Sequence, residues 1–333
     1  MHLRSKGYRK NEFRLRRRRV PFLHVAAILA VFAVPQICSA QLDKNTSLVL
    51  LAKAQGDFAD WPKLRQDVQF ISGKSTVIGL VKNQILVLED GVEQPDVTLQ
   101  QADNAASICL LLDQSSSMKE RGKEVIEAAR RLIATANPGD EFALMSFSGP
   151  VYVEQGFTTD TKKLDAALQR AEFKGASDVF DAVLASVVQM ETHVPKYRKV
   201  IVILSDGDDN YSQVTLSDLL RRLRYPGAPL IYSLSPPQGL KVNVRQNGQA
   251  LSNLLALTKA TGGFSFEPDT SDELRDYAAE ISRDIRSRYS LQYTSTHTQI
   301  DGKLHKVEIK IAPGVSASKI KPHFRQEYYA PSH

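Results

Sequence analysis

The chain has 333 residues, 42% hydrophobic and 24% charged, with a formal net charge of +6. That composition excludes a wholly disordered chain, a collagen-like fibre and a multi-span membrane protein. The positive charge is confined to the start. Residues 1–40 hold nine of the 43 basic residues (Arg4, Lys6, Arg9, Lys10, Arg14, Arg16, Arg17, Arg18, Arg19) and one of the 37 acids, Glu12, leaving 34 basic and 36 acidic residues, net −2, in the rest. The usual charge argument for a nucleic-acid partner therefore fails.

Residues 1–40 read as a secretory signal peptide: a basic stretch to Arg19, an apolar run over 20–34, the breaker Pro35, then Cys38-Ser39-Ala40 as small residues before a cut. The apolar run falls short of the ~20 residues of a comfortable membrane span. The expected destination is the periplasm or the exterior, with an uncleaved N-terminal membrane anchor as the alternative. Cys38 leaves with the leader, so Cys109 stands alone in an apolar run and reads as a small buried hydrophobe.

Residues 41–104 show short apolar or alternating runs at 46–51, 75–81, 84–88 and 97–99, with Glu89-Asp90-Gly91 as a turn, and form a β-rich N-terminal segment. From 105 to 286 strands and helices alternate. The spacing predicts buried strands at 108–112, 199–204 and 230–234, a strand at 142–147, and short strands at 151–153 and 264–266. It predicts helices at 123–136, 161–171, 178–192, 216–223, 251–261 and 273–286. This order implies an α/β fold with a doubly wound, mostly parallel, Rossmann-like sheet, whose ligands bind beyond the carboxyl ends of the strands. Strand patterns return at 289–294, 305–311 and 324–329, so residues 287–333 form a C-terminal β segment expected to pack with the N-terminal one.

Two loops after buried strands carry the chemistry. The first reads Asp113-Gln114-Ser115-Ser116-Ser117-Met118 and the second Ser205-Asp206-Gly207-Asp208-Asp209-Asn210. Between them lies Gly175-Ala176-Ser177-Asp178. Carboxylates and hydroxyls without His or Cys are hard oxygen donors, suited to Mg²⁺, Mn²⁺ or Ca²⁺ rather than Zn²⁺ or Cu²⁺. If Asp113 and Ser115 merely capped a helix, only one of these groups would be needed.

With these motifs the chain resembles the von Willebrand factor type A family, and in particular its bacterial exported subgroup, in which β segments flank that domain. Asp113, Ser115 and Ser117 match the family's Asp-x-Ser-x-Ser element, and Asp206 matches its later Asp in a Ser-Asp-Gly context. Ser177 stands where the family has Thr, a departure that leaves the hydroxyl less fixed about χ1. Gly262-Gly263 and the closing run over 325–330 also look like the subgroup. The resemblance implies a metal-ion-dependent adhesion site. Ser115, Ser117 and Ser177 would supply hydroxyls, and Asp113 and Asp206 would act directly or through water. A vacant position on the cation, Mg²⁺ with Mn²⁺ or Ca²⁺ possible, would take a carboxylate from a protein partner. The function it implies is exported, non-catalytic protein binding. Alternatives are a metal-dependent hydrolase or an envelope scaffold with an unused metal site; no Gly-x-Ser-x-Gly elbow is present.

Other features read more simply. Asp208 and Asp209 are rim or solvated loop acids, and Asp178 and Asp181 favour a helix start. His193, His297, His305 and His323 are scattered and read as surface or packing residues. Trp61 is expected to anchor the β unit. Residues 235–250 are expected to form a long loop on the metal side, a candidate determinant of partner choice.

Overall fold

The computed structural model describes residues 60–101, 105–193, 198–237, 244–313 and 319–332. The leader and the run at 46–51 lie outside the described residues. Among those described, no helix is long and apolar enough to cross a membrane.

The strands are β1 Lys63–Ser72, β2 Ser75–Thr76, β3 Ile85–Glu89, β4 Val92–Glu93, β5 Thr98–Gln101, β6 Ala106–Asp113, β7 Glu141–Phe147, β8 Val151–Thr158, β9 Arg198–Leu204, β10 Leu230–Leu234, β11 Ser265–Phe266, β12 Tyr289–Thr294, β13 Leu304–Ile311, β14 Ile320–His323 and β15 Glu327–Tyr329. The helices are α1 Gly122–Thr135, α2 Thr161–Gln169, α3 Val179–Thr192, α4 Leu216–Leu223, α5 Val244–Thr261 and α6 Ser271–Ser287.

Six strands form the central sheet in the order β11-β10-β9-β6-β7-β8, all parallel except the antiparallel edge strand β8. The unbroken apolar run of β6 exists because both of its faces are covered. Ile108, Leu110 and Leu112 enter one core with Leu132 of α1, Leu164 of α2 and Ile281 of α6. Cys109 and Leu111 enter the other with Val183 of α3, Leu219 of α4 and Leu257 of α5. Each such Leu, Ile or Val side chain, fully buried, contributes about 1.5–3 kcal/mol. Cys109 is completely buried, which pushes its thiol up to about 12 and leaves it unreactive.

The flanks join in a β-sandwich. One sheet runs β14-β1-β12-β5 with β2 beside β1, the other β15-β13-β3-β4. Strand β13 alternates strictly, sending Val307 and Ile309 inward to Val68, Phe70, Val87, Tyr289 and Leu291. Each sheet combines strands from before and after the α/β region. Trp61 is half-buried against this core, its ring 6.2 Å from that of Tyr328.

An ion pair joins sandwich and α/β layer, and a second, fully buried one lies at the end of α6. Arg198, at the start of β9, donates from Nε to Asp67 of β1 at 2.9 Å. Arg288 donates to Asp284 at 2.8 Å and to the Gly262 carbonyl at 2.7 Å. Burial raises the Asp67 carboxyl, but Arg198 and Arg65 outweigh it and hold the group below its ordinary value.

Several expectations are corrected. The edge strand β8 extends to Thr158 rather than ending at 153. Residues 77–81 are not a strand, and β14 was not foreseen. The predicted 235–250 loop is shorter than expected: α5 begins at Val244, so residues 244–250 are helical, and residues 238–243 lie outside the described residues. The polar Gln-Asn-Gly-Gln stretch concealed the helical period there.

Candidate functional site

The chain departs from β6 toward β7 on one side and returns to β9 on the other, so loops diverge at the carboxyl ends of β6 and β9. A crevice opens at such a point. Asp113 is the last residue of β6 and is fully buried. Ser115 and Ser117 lie just beyond, where the chain tightens into a 3₁₀ turn over Ser116–Arg121. Ser177 sits in the connection entering α3, and Ser205 and Asp206 follow β9.

Hydrogen bonds bring these segments together. The Ser115 backbone N–H donates to Asp113 Oδ1 at 2.9 Å. Asp113 Oδ2 accepts from Ser205 Oγ at 2.6 Å and from Ser177 Oγ at 3.4 Å. The Ser115 and Ser117 hydroxyl oxygens lie 3.1 Å apart. Asp206 closes its own turn by accepting from the Asp208 N–H at 3.3 Å. Asp113, Ser115, Ser117 and Ser177 are thus connected to one another. Asp206 enters as a buried neighbouring carboxylate rather than through a hydrogen bond to them.

Burial pushes the Asp113 carboxyl up to about 7, and the charge of Asp206 adds to that rise while the hydrogen bonds from Ser115 and Ser205 oppose it. Asp208 is raised as well, by burial and then by Asp206. Asp206 thus acts on both Asp113 and Asp208.

The loops are held from behind. Ser116 Oγ donates to the Gly175 carbonyl at 3.0 Å, and the Ser116 N–H donates to the same oxygen at 3.2 Å. Gly175 has φ +93°, and a Cβ there would meet the Ser148 carbonyl oxygen at 2.5 Å. Only glycine lets these loops approach so closely. Asp181 accepts from the backbone N–H groups of Gln213 and Val214 at 3.1 and 3.0 Å, and Asp209 accepts from the Phe180 N–H at 3.2 Å. Asp209 therefore satisfies the start of α3 across the loops, a role the sequence did not reveal. Asp178 occupies the N-cap position of α3 without a side-chain capping bond.

The result is an open depression of about 310 Å³. Ser115, Ser116, Ser117, Ser177, Asp208 and Tyr211 are among its lining residues. No His, Lys or Arg lines it among the described residues. A set of hydroxyl and carboxylate oxygens with no resident basic side chain fits a hard divalent cation. Sequence reasoning missed the role of Ser205, whose hydroxyl anchors Asp113; its signal was a small hydroxyl residue at the end of a buried strand. Tyr211, 63% exposed on the rim, was also missed. His193 and His323 pair with Glu141 and the Gly263 carbonyl, both at 2.8 Å, as packing residues.

Residues 108–208 match the von Willebrand factor type A domain. No curated protein matches the chain. Solved structures similar to it include an aerotolerance-related membrane protein from Bacteroides fragilis, at 12% identity and TM-score 0.43, covering 54% of this chain and 99% of that one. A von Willebrand factor type A protein from Catenulispora acidiphila is 13% identical with TM-score 0.45, covering 82% and 75%. The pilus adhesin SpaC from Lactobacillus rhamnosus GG is 10% identical with TM-score 0.43, covering 74% and 47%.

Proposed function

We propose, from the match of residues 108–208 to the von Willebrand factor type A domain, that this chain is an exported, non-catalytic protein-binding module whose site captures an acidic side chain of a partner. The observation that carries this reading is the convergence of Asp113, Ser115 and Ser117 from one loop with Ser177 from another, and Asp206 buried nearby, where Ser115, Ser117 and Ser177 line an open depression. A divalent cation bound there, Mg²⁺ with Mn²⁺ or Ca²⁺ as substitutes, supplies a positive charge and a vacant coordination position for a carboxylate.

The residues divide the work. Ser115, Ser117 and Ser177 present neutral oxygens, so the hydroxyl ligands themselves do not reduce the cation's charge. Asp113 and Asp206 set the negative field, and Ser205 fixes the Asp113 carboxylate. Tyr211 offers the partner a broad amphipathic surface at the rim, the residue type that anchors interfaces. Binding rather than catalysis is favoured because no histidine base lies beside Ser115, Ser116 or Ser117 in the described lining. Export rests on the basic, apolar and small-residue order of residues 1–40.

Affinity capture from the native envelope, with and without EDTA, tests the proposal. EDTA-sensitive capture that is lost in Asp113→Ala supports it. Capture indifferent to both contradicts it.

A further inference from the structure

We propose that His297, Asp301 and His305 form a second metal site, for a first-row cation of the Zn²⁺ class, where the chain crosses from one sheet of the sandwich to the other. His297 and Asp301 lie in the connection between β12 and β13, and His305 is on β13. Those two strands belong to different sheets. One ligand atom from each of the three residues lies within 4.8 Å of the other two.

Geometry and bonding both point to a cation. His297 Nε2 is 3.5 Å from Asp301 Oδ2, and His305 Nε2 is 3.7 Å from Asp301 Oδ1. These separations are long for hydrogen bonds. They approach the edge of a tetrahedron, about 3.3 Å for ligands near 2.0–2.1 Å from zinc. Both Nε2 atoms are buried and make no hydrogen bond, and the His305 side chain is only 5% exposed. Buried polar atoms are ordinarily hydrogen-bonded, so two adjacent imidazole nitrogens with only a distant carboxylate beside them call for a shared partner.

The surroundings orient these ligands. His305 Nδ1 lies 2.7 Å from Asp90 Oδ2. A carboxylate on Nδ1 fixes the tautomer that leaves the Nε2 lone pair free, the arrangement found behind metal-bound histidines. The Tyr328 ring stacks on His305 at 5.4 Å. The connection is held by Ser295 Oγ, which donates to buried Glu89 at 2.7 Å and accepts from the His297 N–H at 3.0 Å. The Lys303 ammonium lies 3.2 Å from Asp301 Oδ2. It is 73% exposed and free to swing into solvent when a divalent ion takes the carboxylate. Two imidazoles and one carboxylate suit Zn²⁺, in contrast to the all-oxygen set of the α/β site. A cation here clips the sheet-to-sheet crossover to β13, with Asp90 of the β3–β4 turn behind His305.

The test uses the untagged, folded chain titrated with Zn²⁺ in excess Mg²⁺, with bound metal measured directly. One Zn²⁺ per chain is expected, with a raised Tm, and both are retained in Asp113→Ala. His297→Ala, at a partly exposed position, should weaken uptake at least about tenfold, and Asp90→Asn about 10–100-fold. Asn tolerates the left-handed backbone of position 90, where φ is 49°. Co²⁺ loaded into the wild-type chain should show the absorption of an imidazole-ligated four-coordinate ion, a readout independent of any variant. Absence of Zn²⁺ uptake, a Co²⁺ spectrum without imidazole ligation, or uptake unchanged in His297→Ala overturns the proposal.

Discussion

The Ser205 hydroxyl donates to Asp113 Oδ2 at 2.6 Å, tying the carboxyl ends of β9 and β6 together beneath the depression. The bond fixes a buried carboxylate whose neighbour Asp206 repels it. Above the raised titration of Asp113, where its carboxylate is charged, Ser205→Ala should therefore cost about 1.5–3 kcal/mol of stability, the weight of a hydrogen bond to a charged group. Urea denaturation in EDTA measures this without metal linkage. A change within about 0.5 kcal/mol, as for an ordinary surface substitution, would show that the bond does not hold Asp113.

The Ser177 hydroxyl reaches Asp113 only at 3.4 Å and has no β-methyl to fix its rotamer. Ser177→Thr is expected to raise cation affinity about twofold, corresponding to roughly half a kcal/mol of side-chain freedom. Ser177→Ala should lower it. Calorimetric titration with Mn²⁺ distinguishes the two, and equal affinities in all three chains would remove Ser177 from the ligand set.

Gly175 has a backbone conformation and a 2.5 Å approach to Ser148 that a side chain cannot share. Gly175→Ala should cost about 1–3 kcal/mol in strain and displace the Ser116 contacts. Partner capture should fall more than overall helicity does. Circular dichroism beside the capture assay reads both.

Tyr211 on the rim predicts a separation of binding from stability. Tyr211→Ala should weaken partner affinity by about 2 kcal/mol or more. An unchanged Tm is expected, because the side chain is largely in solvent. Loss of fold without loss of binding would assign Tyr211 to structure.

Arg288 is fully buried with Asp284. Replacing it alone strands a buried charge, so Arg288→Met should destabilise the chain by about 3–5 kcal/mol. The double change with Asp284→Leu should recover much of that loss. Thermal unfolding of the set checks the coupling.

The sequence made the central sheet legible because runs such as 108–112 and 199–204 have no polar face, and only a strand covered on both sides tolerates that. It made Asp113, Ser115 and Ser117 legible because they directly follow such a strand. What stayed hidden depends on partners distant in the chain. Asp209 looks like a loop acid until α3 is placed against it, and Ser205 looks like a spacer until β6 and β9 lie side by side. His297 and His305 read as scattered because the crossover that folds Asp301 between them lacks a local periodic signature. The start of α5 was hidden by polar residues and Gly248, which break the apolar spacing without breaking the helix.

Titration of the folded chain with Mg²⁺ and Mn²⁺ by calorimetry, for wild type and Asp113→Ala, probes the metal reading most directly. Saturable uptake of one ion by wild type, abolished in Asp113→Ala while the fold persists, is the predicted result. No uptake of either ion, or of Ca²⁺, by folded wild type even with a carboxylate-bearing peptide present would contradict it.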